Sequence, residues 1–407
     1  MNKKKIGIHA TGFIGWGGGI DFLKLIMRGI LATGKYDVIL LIPDNSPRPG
    51  KINRLLHSLG LKSKPLAADD KRTHFSEFIP EIKIEVYRGI PGLNTAIKKH
   101  QVALLIPCLD VLPDEVKAPW IGYLYDFQHK YLPQFFQQEE IQRRDQYFKK
   151  MLDAAQKIIV NSRAVKSDAD KFYPGHGSEI VSLPFTPVYN RKLLRDNYDE
   201  LKTRYGLPEK YFIISNQFWL HKSHLTAFRA LKILSENTPG NIALVCTGNT
   251  EDSRDAAYFA SLKEEIRRMG MEQRVYFLGY ISKQDQIGIL LQAIALIQPT
   301  LFEGGPGGGA TYDAIAFGKQ AIISDIDINK EISNPLVTFF QVGNEKDLAG
   351  KMLQVLQQYQ HECYVVNDEQ LAAESAARVK LLGQALDNVI ETVIGVPAVI
   401  KNKRQTP

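Results

Sequence analysis

The sequence predicts an α/β protein made of two doubly wound domains in tandem. Its 407 residues exceed what one ordinary hydrophobic core accommodates. Short apolar runs alternate with helical patterns along most of the chain, which is typical of parallel sheets with right-handed crossovers. The alternation stops between about residues 183 and 210, where two prolines and a charged segment intervene. We therefore expect a first domain over residues 1–190 and a second over 191–375. Residues 376–407 would hold a last helix that crosses back to the first domain, and a basic tail.

The expected elements follow from residue periodicity. In the first domain, the predicted strands are Lys5–His9, Val38–Ile42, Val102–Ile106, Trp120–Leu124 and Lys157–Val160. In the second domain, they are Tyr211–Ser215, Ile242–Thr247, Val275–Leu278, Leu296–Pro299 and Ala321–Ser324. The predicted helices include Ile20–Leu31, Glu139–Ala155, Ser223–Ser235, Arg254–Met269, Ser282–Ala293 and Asp368–Val393. Two such domains normally enclose a cleft, and ligand pockets favour domain interfaces.

Composition narrows the class of protein. Hydrophobic residues make up 44% and charged residues 23%, as in soluble globular proteins. No apolar run approaches the roughly 18 residues that span a bilayer. The pattern of the N-terminal residues predicts a strand rather than a signal peptide. Three distant cysteines, Cys108, Cys246 and Cys363, argue against a disulfide framework or zinc site and fit a reducing cytosol.

The formal net charge of +7 comes from dispersed basic residues, so it carries no nucleic-acid signature. We expect a cytoplasmic protein whose basic clusters are solvated faces. Peripheral contact with an anionic membrane surface, at the inner face of the cytoplasmic membrane, is the alternative interpretation.

Residues 295–324 carry the most specific pattern. An apolar run ends at Gln298, Glu303 follows, and then come five glycines and a proline within residues 304–309. A helical pattern with Asp313 and a second apolar run complete a strand, loop, helix, strand unit. Ligands bind at the carboxyl ends of strands in such sheets, and a helix N-terminus attracts anions. Phosphate binding beside two carboxylates, which accept hydrogen bonds from hydroxyls, suggests a nucleotide-sugar. A carboxylate in a helix's first turn is also stabilised by the dipole, which alone could explain Asp313 but not Glu303.

A second glycine cluster, Gly15 to Gly19, follows the first strand. It fits neither the dinucleotide-binding pattern G-x-G-x-x-G nor the Walker A loop. What remains is a loop opening a helix, which can approach a phosphate or sugar closely. The alternative interpretation is a tight strand-to-helix turn.

Polar residues also follow two other strands. Asp126 and His129 come after Trp120–Leu124, although a lone histidine is as often structural. Asn216, Gln217 and Lys222 follow Tyr211–Ser215, and a lysine there can pair with phosphate. Lys222 could instead be a surface residue, but positive charge at a helix start is mildly unfavourable.

Two Asp-x-Asp pairs resemble a metal motif, namely Asp168 with Asp170 and Asp325 with Asp327. Neither has a nearby histidine or glutamate arranged as a metal shell. We therefore assign no metal.

Together these residues resemble the retaining glycosyltransferase family 4, which has the GT-B fold: two Rossmann-like domains facing an interdomain cleft. The likeness covers nearly the whole chain and is strongest in its second half. The family's Pro-Ser, Glu-Gly-Phe-Gly-Leu-Pro, Glu-Ala and Gly-x-Pro-Val-Ile-x-Ser-Asp elements correspond to four segments here, namely Pro299-Thr300, the loop from Glu303, Asp313-Ala314 and Gly318 to Asp325. This chain has more than the family's seven residues between the acids, and the second acid is Asp. The resemblance implies that Asp313 takes the second glutamate's place.

The resemblance also assigns roles. Lys222 matches the lysine of a phosphate-binding pair, and Asn216 or Gln217 stands where many members carry arginine. The Asp126 to His129 segment looks like a branch that makes bacterial surface polysaccharides, including lipopolysaccharide, in which a histidine contacts the donor sugar. Gly17, Gly18 and Gly19 match a loop that lines the donor diphosphate.

The implied function is a metal-independent retaining hexosyltransferase without a resident cofactor. It would move a hexose from a nucleotide-diphosphate sugar, with GDP-mannose as first guess, to a saccharide or lipid-linked saccharide. The expected catalytic residues are His129, Glu303 and Lys222. The expected donor-binding residues are Gly17, Gly18, Gly19, Asp126, Asn216, Gln217, Gly307, Gly308, Gly309 and Asp313.

Two alternatives stay open, a nucleotide-sugar 2-epimerase and a non-catalytic nucleotide-sugar-binding subunit. The failed G-x-G-x-x-G pattern disfavours an NAD-dependent dehydrogenase.

Overall fold

A computed structural model describes residues 3–15, 17–44, 82–194, 198–252, 254–359 and 366–395. Its strands form two parallel sheets, one of seven and one of six strands. The first domain, which holds the seven-stranded sheet, contains β1 Lys4–His9, α1 Gly17–Ala32, β2 Tyr36–Pro43, β3 Lys83–Tyr87, α2 Gly89–His100, β4 Val102–Cys108, β5 Trp120–Leu124, α3 Gln128–Tyr131, α4 Gln138–Ala154, β6 Lys157–Val160, α5 Arg163–Phe172 and β7 Glu179–Ser182.

The second domain holds the six-stranded sheet. Its elements, followed by the last helix, are α6 Asp199–Tyr205, β8 Lys210–Ser215, α7 His224–Asn237, β9 Ile242–Thr247, α8 Tyr258–Arg268, β10 Val275–Gly279, α9 Lys283–Gln292, β11 Leu296–Gln298, α10 Gly308–Ala316, β12 Ala321–Ser324, β13 Val337–Phe340, α11 Glu345–Gln358 and α12 Asp368–Ile394.

Strand order shows that both sheets are doubly wound. The first runs β3-β2-β1-β4-β5-β6-β7 and the second β10-β9-β8-β11-β12-β13. The order therefore reverses between β1 and β4, and again between β8 and β11. Such reversals open a crevice beyond the carboxyl ends of the two strands, which is where doubly wound sheets bind ligands. Asn216 follows β8 directly and Gln298 ends β11, so both lie at the second crevice.

Buried apolar side chains explain why the central strands form. Ile6, Ile8, Leu104 and Ile106 of β1 and β4 have no exposed surface, as expected for strands covered on both faces. The three unpredicted strands, β3, β7 and β13, all lie at sheet edges. Edge strands are short and partly exposed, so their apolar patterns are weak.

The last helix returns to the first domain. Helix α12 packs against α1, and its residues Leu382, Leu386, Val389 and Ile390 join the first domain's core. The helices approach closely because glycines meet at the crossing. A Cβ built on Gly383 would lie 2.7 Å from the carbonyl oxygen of Gly29. The domain limits expected at residues 190 and 375 stay predictions.

Other expectations concern features beyond the two sheets. Across the described ranges, no helix has the length and apolarity needed to cross a membrane. Cys108 and Cys246 are buried free thiols. Cys363, Trp16 and the expected basic tail lie outside the described residues.

Candidate active site

A buried chain of hydrogen bonds joins the two strands at the second crevice. Asn216 Nδ2 donates to Gln298 Oε1 at 2.6 Å, and Gln298 Nε2 donates to Glu303 Oε1 at 2.9 Å. Lys222 Nζ donates to the same Oε1 at 2.6 Å. Because lysine and glutamate are both only 9% exposed, their opposite charges compensate each other in a poorly solvated place. Three of the predicted site residues therefore meet, linked by Gln298.

Backbone contacts hold Lys222 and Glu303 in register. Lys222 ends a single 3-10 turn, Leu220–Lys222, and the carbonyl oxygen of His221 accepts from the Leu301 amide at 2.7 Å. Thr300 Oγ1 also donates to the carbonyl of Phe302 at 2.7 Å. The loop carrying Glu303 is thus attached to the turn carrying Lys222, although about 80 residues separate them in sequence.

The glycine loop requires glycine at two positions. Gly307 and Gly308 have φ of +69° and +62°, a region that disfavours side chains. A Cβ on Gly308 would also lie 3.0 Å from the carboxyl carbon of Glu303. Asn329 Oδ1 fixes the loop by accepting from the Gly307 amide at 2.7 Å. Helix α10 begins at Gly308, so the amide of Gly309 belongs to the turn whose donors lack intrahelical acceptors.

Asp313 lies beyond the first turn of α10, where the helix dipole would stabilise its negative charge. It is the sixth residue of the helix, and the first turn holds no acidic residue, so the dipole interpretation is wrong. Its carboxylate instead accepts from Lys283 Nζ and, at 3.2 Å, from Gln286 Nε2. Burial raises the pKa of Asp313, Lys283 opposes this shift, and the Asp21 carboxylate adds to it. Its expected role in binding the donor stays a prediction.

Gly17, Gly18 and Gly19 form the first turn of α1 rather than a loop before it. Asp21 follows them in α1, and its charge acts on Asp313 of the second domain. The N-terminal end of α1 thus lies near the Asp313 side of the cleft. A contact of these glycines with phosphate stays a prediction.

Asp126 lies beside the glycine loop. A Cβ on Gly304 would be 2.6 Å from the carbonyl oxygen of Tyr125 and 3.1 Å from Asp126 Cβ. Burial raises the pKa of Asp126, and the negative charge of Glu303 across the domain interface raises it further. The structure therefore brings Asp126 and Glu303 together from opposite domains.

His129 is not exposed to the cleft. Its side chain has no exposed surface, Nε2 pairs with Asp145 Oδ1 at 2.9 Å, and Nδ1 is buried without a described partner. Lys130 Nζ and Tyr173 OH also donate to Asp145, each at 2.7 Å. Burial lowers the pKa of His129 although Asp145 opposes this shift. Contact between His129 and a donor sugar would require the ring to move, and it stays a prediction.

Gln217 serves a local structural contact. Its Oε1 accepts from the Asn249 amide at 2.9 Å and ties the segment after β8 to the segment after β9. Gly248 makes this approach feasible, since its φ is +139° and a Cβ there would clash with the Asn216 carbonyl. Gln217 offers no positive charge to replace an arginine.

Sequence reasoning missed Gln298, His221 and Arg254. A polar residue that ends an otherwise apolar strand was the available signal for Gln298. His221 precedes Lys222, is 6% exposed, and has a pKa lowered to about 2 by burial and by the charges of Lys222 and Arg254. It is therefore neutral at physiological pH.

The Asp-x-Asp pairs have other partners. Tyr131 OH donates to Asp168, His176 pairs with Asp170 at 3.0 Å, and Asp325 accepts from the Val342 amide at 2.8 Å. Asp327 is almost fully exposed. Within the described residues, no three His, Cys, Asp or Glu side chains cluster as metal ligands.

Known proteins resemble this chain in part of its sequence and in its fold. Residues 198–369 match the family "Glycosyl transferases group 1". The chain is 25% identical over 227 residues to the O-antigen chain mannosyltransferase RfbU of Salmonella typhimurium, covering 55% of this chain and 57% of that protein. The curated relatives that it matches are covered over only 27% and 57% of their length.

Solved structures match over almost the whole chain. Sucrose-phosphate synthase of Thermosynechococcus elongatus gives a TM-score of 0.62 at 15% identity, covering 97% of this chain and 100% of that one. HepE of Anabaena, solved with UDP and glucose, gives 0.61 at 14% identity with the same coverage. The predicted GT-B fold is confirmed. With the match of residues 198–369 to glycosyl transferases group 1, these findings support a glycosyltransferase of the GT-B fold.

Proposed function

We propose that this chain is a retaining, metal-independent hexosyltransferase of the family 4 type, active in bacterial surface-polysaccharide synthesis. It would move a hexose from a nucleotide-diphosphate sugar to a saccharide or lipid-linked saccharide. The observation that carries this proposal is the buried Lys222–Glu303 pair, which lies beside the first turn of α10 at the second crevice. A cation, free helix amides and a carboxylate are the groups that a sugar diphosphate needs.

The proposed chemistry is electrostatic. Lys222 and the amides around Gly309 would bind the diphosphate and stabilise the charge that develops on it as the glycosidic bond breaks. An anion that draws Lys222 away would leave Glu303 free to accept hydrogen bonds from sugar hydroxyls. The acceptor would attack from the face of the leaving phosphate, which takes the proton, so no protein nucleophile is required.

The donor is proposed from two sources. GDP-mannose follows the family resemblance, and the O-antigen relative carries mannosyltransferase in its name. UDP-glucose is the competing choice because HepE was solved with UDP and glucose. A ligand that binds only the folded state raises its melting temperature, so a thermal-shift comparison of GDP-mannose and UDP-glucose would discriminate the two donors.

Substitution tests the site. Lys222→Ala and Glu303→Ala should each reduce transfer by about a hundredfold, because each removes a charged group positioned at the reacting diphosphate or sugar. Lys346→Ala and Glu369→Ala, at exposed positions of the second domain and the last helix, should leave it unchanged. Near-normal transfer in both site variants would refute the assignment.

An acceptor-dependence assay separates the alternatives. A transferase should release nucleotide only in proportion to acceptor. A 2-epimerase would convert donor and release nucleotide without acceptor, whereas a binding subunit would bind donor and transfer nothing.

Peripheral membrane contact is proposed for a lipid-linked acceptor. Arg143, Lys149 and Lys150 are exposed basic residues of α4. Co-sedimentation with vesicles containing anionic lipid, compared with neutral vesicles, tests the proposal.

A further inference from the structure

Arginines and aromatic rings alternate across the interface between the two domains. We name this set the arginine stack, and its members are Tyr125, Arg144, Phe136, Arg254 and Trp219. The Arg144 guanidinium carbon lies 5.7 Å from the Tyr125 ring centroid and 4.7 Å from that of Phe136. The Arg254 guanidinium carbon lies 5.8 Å from the Phe136 centroid and 5.5 Å from that of Trp219.

Phe136 is the point where the domains meet in this stack. It belongs to the first domain and contacts one guanidinium from each domain, Arg144 from its own and Arg254 from the other. A guanidinium within about 6 Å of an aromatic centroid is attracted by the ring's quadrupole. The Arg254–Phe136 contact therefore favours an arrangement in which the two domains are close.

Arg254 is held rigidly on its own domain. Its Nε and Nη2 donate to Asp252 Oδ1 and Oδ2 at 3.0 and 3.1 Å, a bidentate pair that fixes the guanidinium plane. The Asp252 side chain is 2% exposed, and its Oδ2 also accepts from the Leu220 amide at 3.3 Å. Leu220 begins the 3-10 turn that ends with Lys222. Arg254 is thus connected through one buried carboxylate to the turn that carries Lys222.

The other end of the stack lies beside the first domain's site residue. Arg144 Nη1 is 3.8 Å from Asp126 Oδ1, and Arg144 Nε donates to Glu140 Oε1 at 3.1 Å. The arginine stack therefore joins the neighbourhoods of Asp126 and Lys222, which belong to different domains.

We propose that Arg254 is a positioning residue that acts through the contact of its guanidinium with the Phe136 ring. It holds the second domain closed on the first and keeps the Lys222 turn in its place relative to Asp126. It acts through Asp252 and Phe136 rather than by touching donor or acceptor. The inference deepens the proposed function, because closure matters for activity only if donor binds at Lys222.

The consequence for binding is quantitative. If donor binds only to the closed arrangement, its apparent affinity falls in proportion to the closed fraction. Arg254→Ala and Phe136→Leu should therefore each raise the donor KM about five- to tenfold, while kcat at saturating donor stays within about threefold. Phe136→Trp retains an aromatic ring, so its donor KM should equal that of the wild type. Arg267→Ala, an exposed arginine of α8, is the matched control and should change nothing.

The decisive experiment is a double-mutant cycle read by two methods that do not need turnover. Calorimetry with UDP and with GDP measures nucleotide affinity, and small-angle X-ray scattering measures the radius of gyration of the free protein. Since Arg254 and Phe136 share a contact that either substitution removes, the Arg254→Ala/Phe136→Leu double variant should lose less affinity than the sum of the two single losses. Scattering should show a larger radius in all three.

Outcomes separate this inference from the proposed function. Unchanged radius in both single variants, or additive losses in the double variant, would overturn the positioning role. If the wild type binds neither nucleotide, the proposed donor site fails, and scattering alone still decides whether Arg254 and Phe136 hold the domains together.

Discussion

At the residue scale, the site depends on amide side chains that satisfy buried charges. Gln298 has no exposed surface and donates to Glu303 while accepting from Asn216. Lys222 Nζ donates to the same Glu303 Oε1 at 2.6 Å. Sequence order predicted Asn216, Lys222 and Glu303 because each follows a strand. It could not predict Gln298's role, since that depends on β8 and β11 being neighbours.

Gln298→Met tests this chain of bonds. It nearly preserves volume but leaves the Asn216 amide and Glu303 each short of a partner, which should cost about 1–3 kcal/mol of stability. Urea denaturation should show a lower midpoint, whereas Gln357→Met, at an exposed position of α11, should not. Equal midpoints in the two variants would contradict the role assigned to Gln298.

The burial of His224 predicts that the stability of the protein depends on pH. His224 stacks on Phe218 at 4.3 Å, neither ring nitrogen has a described partner, and burial lowers its pKa from 6.5 to about 3. Between these values the unfolded chain binds a proton that the folded protein does not. Stability contributed by neutral His224 is therefore complete above pH 6.5 and is lost as pH falls.

His224→Phe should remove this component. Between pH 7 and pH 5, the variant's unfolding free energy should fall by about 2 kcal/mol less than that of the wild type. Urea unfolding at both pH values measures the difference, and between pH 7 and pH 8 the two proteins should change equally. Parallel pH profiles down to pH 5 would show that His224 does not titrate as inferred.

At the element scale, the central strands and long helices could be predicted because each repeats a strong apolar pattern. Strand β3, with the sequence Lys-Ile-Glu-Val-Tyr, mixes charged and apolar residues, and β7 begins with Glu179. Their strand state comes from pairing with β2 and β6, not from their own composition. The role of Arg254 could not be predicted for a related reason, because its partner Phe136 lies in the other domain.

The α1–α12 crossing gives an element-scale prediction. Gly383→Ala should destabilise the protein by about 1–3 kcal/mol, since its Cβ would meet the Gly29 carbonyl at 2.7 Å and force the helices apart. The matched control is Gly350→Ala within α11, where a Cβ meets nothing within 4 Å. That change should stabilise the protein by up to about 1 kcal/mol. Melting temperatures that move in the same direction for both variants would contradict the close crossing.

At the scale of the whole molecule, a carboxylate of the second domain caps a helix of the first. Glu331 accepts from the backbone amides of Arg163 and Ala164 at 3.0 and 2.7 Å, at the start of α5. A negative charge is favourable at a helix N-terminus, so this contact stabilises closure as well as the helix. It lies apart from the arginine stack in sequence and adds a further attachment between the domains.

Glu331→Ala should loosen the closed arrangement. Hydrogen exchange at the Arg163 and Ala164 amides should accelerate, and the radius of gyration should increase, while Glu264→Ala on the surface of α8 should alter neither. Exchange at wild-type rates in Glu331→Ala would mean that the domains are held without this contact.

The return of α12 to the first domain has a consequence for biosynthesis. Leu382, Leu386, Val389 and Ile390 complete a core whose last strand, β7, ends at Ser182. On a ribosome that adds roughly 5–20 residues per second, the roughly 200 residues in between take on the order of ten to forty seconds to emerge. During that interval the apolar face of α1 in the nascent first domain remains uncovered. Chaperones that bind exposed apolar helices would therefore encounter this chain while it is still being translated.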